Sequence, residues 1–170
     1  ITADGDLANR MMHPSHQVER EYAVRVLGEV DADTIKRLKE GVELEDGPAH
    51  FDVVSKVGGE GANQWYHVIL HEGRNREVRR LWESQGVQVS RLMRVRYGPV
   101  SLPRGQKPGR WEELPDDAVN ALRQSVGLPA KMTRGDKTRS GFSRSQFTGK
   151  RPAGKKHARS AHKSAKGRRR

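Results

Sequence analysis

Glu72 to Gly86 reads EGRNREVRRLWESQG, a short helix set between an apolar run, Val68-Ile69-Leu70, and a closing glycine. Asn75, two residues after Gly73, suits a helix N-cap, and Gly86 suits the position just past a helix end. Winding Arg76 to Glu83 at about 100° per residue gathers Val78, Leu81 and Trp82 on one apolar arc. Arg76 falls well off that arc, and Glu77 and Arg80 take the far side and read as solvated. Arg79 falls on the border, so its stem can be covered while its guanidinium points into a cleft. Two readings stay open. One is a helix with a solvated basic face; the other is an anion- or RNA-facing helix whose border arginine grips a carboxylate or phosphate with both prongs.

The segments before this helix alternate between strand and helix signals. Asp4-Gly5 is a turn, and Asp6 can cap a short helix that turns Leu7 and Met11 inward until His13-Pro14 stops it. Glu21 to Leu27 alternates as a strand, with Tyr22, Val24 and Val26 on one face. Tyr22 is then either a core residue or an aromatic beside a polar groove that stacks on a base. Asp31 or Asp33 starts a helix with Ile35 and Leu38 inward, ended by Gly41. Val42 to Leu44, the Asp46-Gly47 turn and Ala49 to Val57 form a hairpin on this reading. Gly58 to Gly61 is a mobile loop by composition, and Gln64 to His71 is a third long strand.

Beyond the helix, Val87 to Val89 is a short extended piece and Arg91 to Tyr97 a strand. Strict alternation puts Leu92, Arg94 and Arg96 together on one face of that strand. A face with two arginines and one leucine is solvent or the floor of a polar groove. Pro115 opens a last helix with Val119, Leu122 and Val126 inward, closed by Gly127. The fold class expected is α+β, an antiparallel or mixed sheet with short helices rather than regular βαβ alternation.

Charge divides the chain in two. Lys131 to Arg170 holds 15 Lys or Arg and one acid, Asp136, for +14, whereas the preceding 130 residues sum to −2; the total is +12. Residues 1–128 therefore read as one domain and 129–170 as a basic, disordered tail. Such a tail is an RNA-binding arm or a solubiliser, and Phe142 and Phe147 could stack on bases in the first case. Zero Cys excludes a disulfide framework and thiol metal sites. No apolar run approaches a membrane span, so no membrane partner is expected. Ile1 opens the chain without a methionine, as if cut from something longer.

Familiar catalytic signatures are missing. Gly58, Gly59 and Gly61 lack the helix and lysine of a phosphate loop, and no nucleophile elbow or dinucleotide fingerprint occurs. His67 and His71 would share a strand face but find no third ligand nearby, so no metal is expected. The residues alone support a cytosolic nucleic-acid-binding domain with a basic arm.

Four stretches, taken together and in this order, resemble one family. They are TADGDLA at Thr2 to Ala8 running to His13-Pro14, Glu21-Tyr22, Glu72 to Arg76 continuing through Arg79-Arg80, and LMRVRYG at Leu92 to Gly98. The conjunction resembles the bacterial ribosomal-RNA pseudouridine synthases of the RsuA/RluB type, nearest to the branch acting on large-subunit rRNA. The resemblance implies an isomerase that detaches uracil from its ribose and reattaches it through carbon, without cofactor or metal, on a uridine flipped out of the RNA. It implies that Tyr22 lies against the target base and that Arg79 pairs with a catalytic aspartate. Leu70 and Leu92 become the apolar pocket wall, and Arg74, Arg76, Arg80, Arg94 and Arg96 the RNA contacts. The partner expected is large-subunit ribosomal RNA, met by a cytoplasmic monomer.

One departure stands out. The family's aspartate lies in an arginine-leucine-aspartate motif just before the segment matching Thr2 to Gly5, and no such triplet occurs in this chain. Asp4 and Asp6 match the turn and helix cap, not the nucleophile. The chain is then expected to be the C-terminal part of a catalytic domain, inactive alone. The alternative is a non-catalytic RNA-binding module or ribosome assembly factor.

Overall fold

A computed structural model describes residues 1–131; the tail reading, with Phe142 and Phe147, lies outside the described residues. Five strands form one antiparallel sheet in the order β4-β5-β1-β6-β7. These are β1 (Arg20–Leu27), β4 (Val53–Glu60), β5 (Asn63–Leu70), β6 (Gln88–Tyr97) and β7 (Val100–Ser101). Two three-residue strands, β2 (Val42–Leu44) and β3 (Gly47–Ala49), make a separate hairpin. The helices are α1 (Gly5–Met12), α2 (Ala32–Glu40), α3 (Glu77–Glu83) and α4 (Asp116–Ser125).

The period-2 pattern of β1 puts Val24 and Val26, both fully buried, on the inner face of the sheet. Val68 and Tyr66 of β5 meet them there across the register Tyr22↔Val68 and Val24↔Tyr66. Helices α2 and α3 close this side with Leu38, Val78, Leu81 and Trp82. Trp82 is the largest fully buried side chain; its ring lies 5.2 Å from that of Tyr66 and 6.0 Å from that of Phe51. Burying one such side chain stabilises the fold by about 2–3 kcal/mol. A second apolar cluster, Leu7, Met11, Val18 and Val126, joins α1 to the segment after α4. There Arg10 donates to the carbonyls of Val126 and Gly127, and Arg123 pairs with Asp4.

Several expectations need correction. Asp4, not Asp6, caps α1 through its contact with Leu7 N–H, and Asp31 caps α2. The hairpin of Val42 to Leu44 with Ala49 to Val57 forms only as far as Ala49; its second arm is broken at Phe51, because Phe51 is drawn into the core against Trp82. Its N–H donates to Leu38 O, and Asp52 N–H to Ile69 O, so the chain leaves the small hairpin and enters the main sheet as β4. Gly58 to Glu60 is not a loop but the end of β4, paired with Asn63 to Trp65. Gly59 (φ +117°) fits because a Cβ there would lie 2.2 Å from Asn63 O. The pieces at Val87 to Val89 and Arg91 to Tyr97 belong to one bulged stretch, with β6 running from Gln88.

That bulge matters most. Arg94 pairs with Tyr22 and Arg96 with Glu21, so Val95 is the extra residue on β6. Arg94 and Arg96, which strict alternation would put together, therefore face opposite sides of the sheet. The outer face carries Trp65, His67 and Ile69 of β5, Glu21, Ala23, Arg25 and Leu27 of β1, and Arg91, Met93 and Arg96 of β6. Neither apolar cluster draws a member from it.

Candidate functional site

A cavity of about 390 Å³ opens where the inner face of the sheet meets the N-terminal end of α3. Three strands supply its floor, Tyr22 from β1, Leu70 from β5 and Leu92 from β6, while the exposed Arg94 of β6 stands at its rim. The turn Gly73 to Arg76 and the first residues of α3, Glu77 and Val78, form one wall, and Met12 of α1 stands at the rim. Tyr22 is half-buried against the main core, and Leu70 is fully buried. Tyr22 thus packs on the core and borders the cavity at the same time.

Arg20, only 5% exposed, also lines the cavity. Its Nη1 donates to Val18 O at 2.8 Å and to His71 O at 2.6 Å. Its Cζ lies 5.2 Å from the Tyr97 ring centroid, and Tyr97 Oη donates to Met11 O. No carboxylate pairs with Arg20 among the described residues. The carbonyls and the ring compensate its desolvation instead. Gly73 passes so close that a Cβ would lie 3.1 Å from Arg20 Nε. Sequence reading missed Arg20. The available signal was its place on β1, where it shares the face of Tyr22 and Val24 and so puts a charge on a core face.

The arginines of the α3 region separate into two groups. Arg74 is committed to the protein: its guanidinium reaches the carbonyls of Asp46, Gly47 and Pro48, and Nε pairs with Glu72 at 2.6 Å. Arg80 forks onto both oxygens of Asp46 at 2.8 Å, and that hydrogen bonding holds the Asp46 carboxyl below its usual range. Arg80 is therefore not a solvated charge. On the outer face Arg96 pairs with Glu19 and Glu21 at 2.7 and 2.8 Å. Those contacts, with His67 Nδ1 at 2.8 Å, keep Glu21 ionised below the ordinary range.

Arg76 and Arg94 behave differently. Arg76 is exposed, and its one ion pair among the described residues, with Glu83 at 3.7 Å, lies in solvent. Arg94 is exposed and lies over the Tyr97 ring at 4.5 Å. Arg79 stands apart from both. Its stem is half-buried, as its border position on the helix required, but its Nη1 donates to Val89 O at 2.9 Å. It is not among the residues lining the cavity, and no carboxylate pairs with it among the described residues.

Two local expectations fail here. Asn75 does not cap α3; Arg76 takes the N-cap position in a left-handed conformation (φ 50°), without a side-chain cap. Glu77 does the capping work from inside the helix, its Oε2 accepting Arg74 N–H at 3.0 Å. Glu77 is therefore buried rather than solvated, and burial pushes its carboxyl above the usual range.

The residues match known proteins as follows. The family model for RNA pseudouridylate synthase matches residues 1–84. Over 128 residues the chain is 65% identical to the ribosomal large subunit pseudouridine synthase B of Yersinia pestis, covering 75% of this chain and 40% of that protein. Over 140 residues it is 61% identical to the protein of the same name from Pasteurella multocida, covering 82% and 41%. A solved pseudouridylate synthase aligns with a TM-score of 0.62 at 25% identity, over 71% of this chain and 52% of that one. The chain spans about two fifths of the length of the curated relatives it matches.

Proposed function

The chain belongs to the RNA pseudouridine synthase family, and from that premise we propose that it supplies half of a catalytic cleft which isomerises a uridine of large-subunit rRNA. The observation that carries this is the convergence of Tyr22, Leu70 and Leu92, from three different strands, on one cavity rimmed by Arg76 and Arg94. An aromatic face and two leucines suit a flipped pyrimidine, while exposed guanidiniums at the rim suit its flanking phosphates. In this reading the reaction breaks the bond from ribose C1′ to N1 and forms one from C1′ to C5. N1 gains a proton and C5 loses one, so atoms balance without cofactor or metal.

The carboxylate that the reaction needs comes, on this proposal, from another part of the longer protein. Arg79 is its partner: a half-buried guanidinium with one prong on Val89 O and no acid beside it among the described residues. The enzyme acts as a cytoplasmic monomer, and the 170 residues alone bind RNA without turnover.

Carbodiimide mapping of large-subunit rRNA, with and without the longer protein, tests the proposal. Loss of one pseudouridine on deletion supports it, and an unchanged map overturns it. In that protein Arg79→Lys should lower kcat/KM by about tenfold or more, the worth of one lost charge-assisted hydrogen bond. Arg80→Ala should cost less, because Arg80 serves Asp46. Equal losses would remove Arg79 from its role.

A further inference from the structure

We infer that the outer face of the sheet, opposite the cavity, is a second RNA-binding surface centred on Arg25, Arg91 and Trp65. Arg25 and Arg91 are direct cross-strand partners on β1 and β6. Like charges set opposite each other weaken a sheet, and neither has a carboxylate partner among the described side chains. Glu21, the nearby acid on this face, is already taken by Arg96 and His67. The pair is a local excess of positive charge in a domain whose charges otherwise nearly cancel.

Its geometry is that of a prepared fork. Arg25 Nε donates to Ser90 Oγ at 2.9 Å, and Ser90 Oγ donates back to Arg25 O at 3.1 Å. The guanidinium lies over the Trp65 ring at 5.9 Å. Two prongs are thus left without a hydrogen-bond partner among the described residues, and the half-buried Trp65 indole lies beside the guanidinium at the outer limit of a cation–π contact. That arrangement meets a phosphate with the prongs and offers a base the face of Trp65. Leu27 and Met93, 44% and 40% exposed, extend the apolar floor beside it. An acidic peptide would use the charge and leave the Trp65 indole without a purpose.

Strand β6 connects the two faces. It sends Arg94 inward to the cavity and Arg91 outward, and β7 pairs with only Arg96 and Tyr97 along its far side. An RNA leaving the cavity over the rest of β6 meets Arg91 next. The inference rests on the reading that this protein binds RNA.

The test is fluorescence anisotropy of a labelled single-stranded oligouridylate on the full 170-residue chain across a salt series. Arg25→Gln/Arg91→Gln should reduce the slope of log K against log salt by about 1.4, the worth of two single-strand phosphate contacts. Arg25→Lys/Arg91→Lys should keep the slope and lose affinity, since a lysine keeps the charge and gives up the two-pronged fork. Photo-crosslinking should put RNA on the peptide containing Trp65, and melting curves check that each variant folds. An unchanged slope in the Gln variant overturns the inference, as does equal competition by polyglutamate. If only Arg76→Gln/Arg94→Gln lowers the slope, the outer surface fails and the cavity stands. If the wild-type chain binds no RNA, both fail.

Discussion

The Asp46 turn and the cavity floor lie on either side of the N-terminal end of α3, and both are rich in arginine. At the turn, Arg74 and Arg80 spend their donors on Asp46, Glu72 and three backbone carbonyls. At the cavity, Arg20 is held by carbonyls and by the Tyr97 ring and hydroxyl, and Arg94 rests on Tyr97 with no acid beside it among the described residues. The same residue type serves as internal strut in Arg20, Arg74 and Arg80 and as open cation in Arg76 and Arg94. What separates them is the supply of acceptors, not their spacing along the helix.

The largest effect expected from this contrast is on stability. Arg20→Met should destabilise the chain by about 3 kcal/mol, because buried carbonyls of Val18 and His71 lose their donor. Urea unfolding checks it, and a midpoint close to wild type would mean that water replaces the guanidinium at no cost. Arg80→Gln should lower Tm by less, since Asp46 is exposed and solvent can take over. A larger loss for Arg80 than for Arg20 would reverse the comparison.

The smallest effect is the pH dependence set by Glu77. A carboxyl whose folded value lies above its unfolded one holds its proton more tightly in the fold. Ionisation therefore weakens the fold as pH climbs above the ordinary value of 4.5, and the loss is complete once pH exceeds the raised folded value. Glu77→Gln keeps an acceptor for Arg74 N–H and removes this pH dependence. The variant should match wild type at about pH 4 and melt higher at pH 7. A lower melting point at pH 7 would show that the ion pair with Arg74 outweighs the burial.

Much of this was legible in the sequence because it rests on local periodicity. The alternation of Val24 and Val26, the arc of Val78, Leu81 and Trp82, and the inward Leu38 all landed in the core. The grouping of Tyr22, Leu70 and Leu92 was reached through family likeness, and all three line one cavity. What failed depends on contacts distant in sequence. The split of the Ala49 to Val57 arm needs Phe51 to find Leu38 and Trp82. The separation of Arg94 from Arg96 needs the bulge at Val95, which follows from pairing with β1 rather than from β6 itself. The capture of Arg74 and Arg80 by Asp46, about thirty residues earlier, leaves no trace in a helical wheel. Arg20 was visible as a charge on a core face but lay one residue outside the strand as read.

The division between strut and open cation is tested most directly by RNA affinity against salt for two double variants of this chain. Arg76→Gln/Arg94→Gln should lower the log–log slope by about 1.4, with melting behaviour unchanged. Arg74→Gln/Arg80→Gln should leave the slope intact and lower Tm. The opposite pattern, a slope lost with the Asp46 pair and kept without Arg76 and Arg94, would contradict the account.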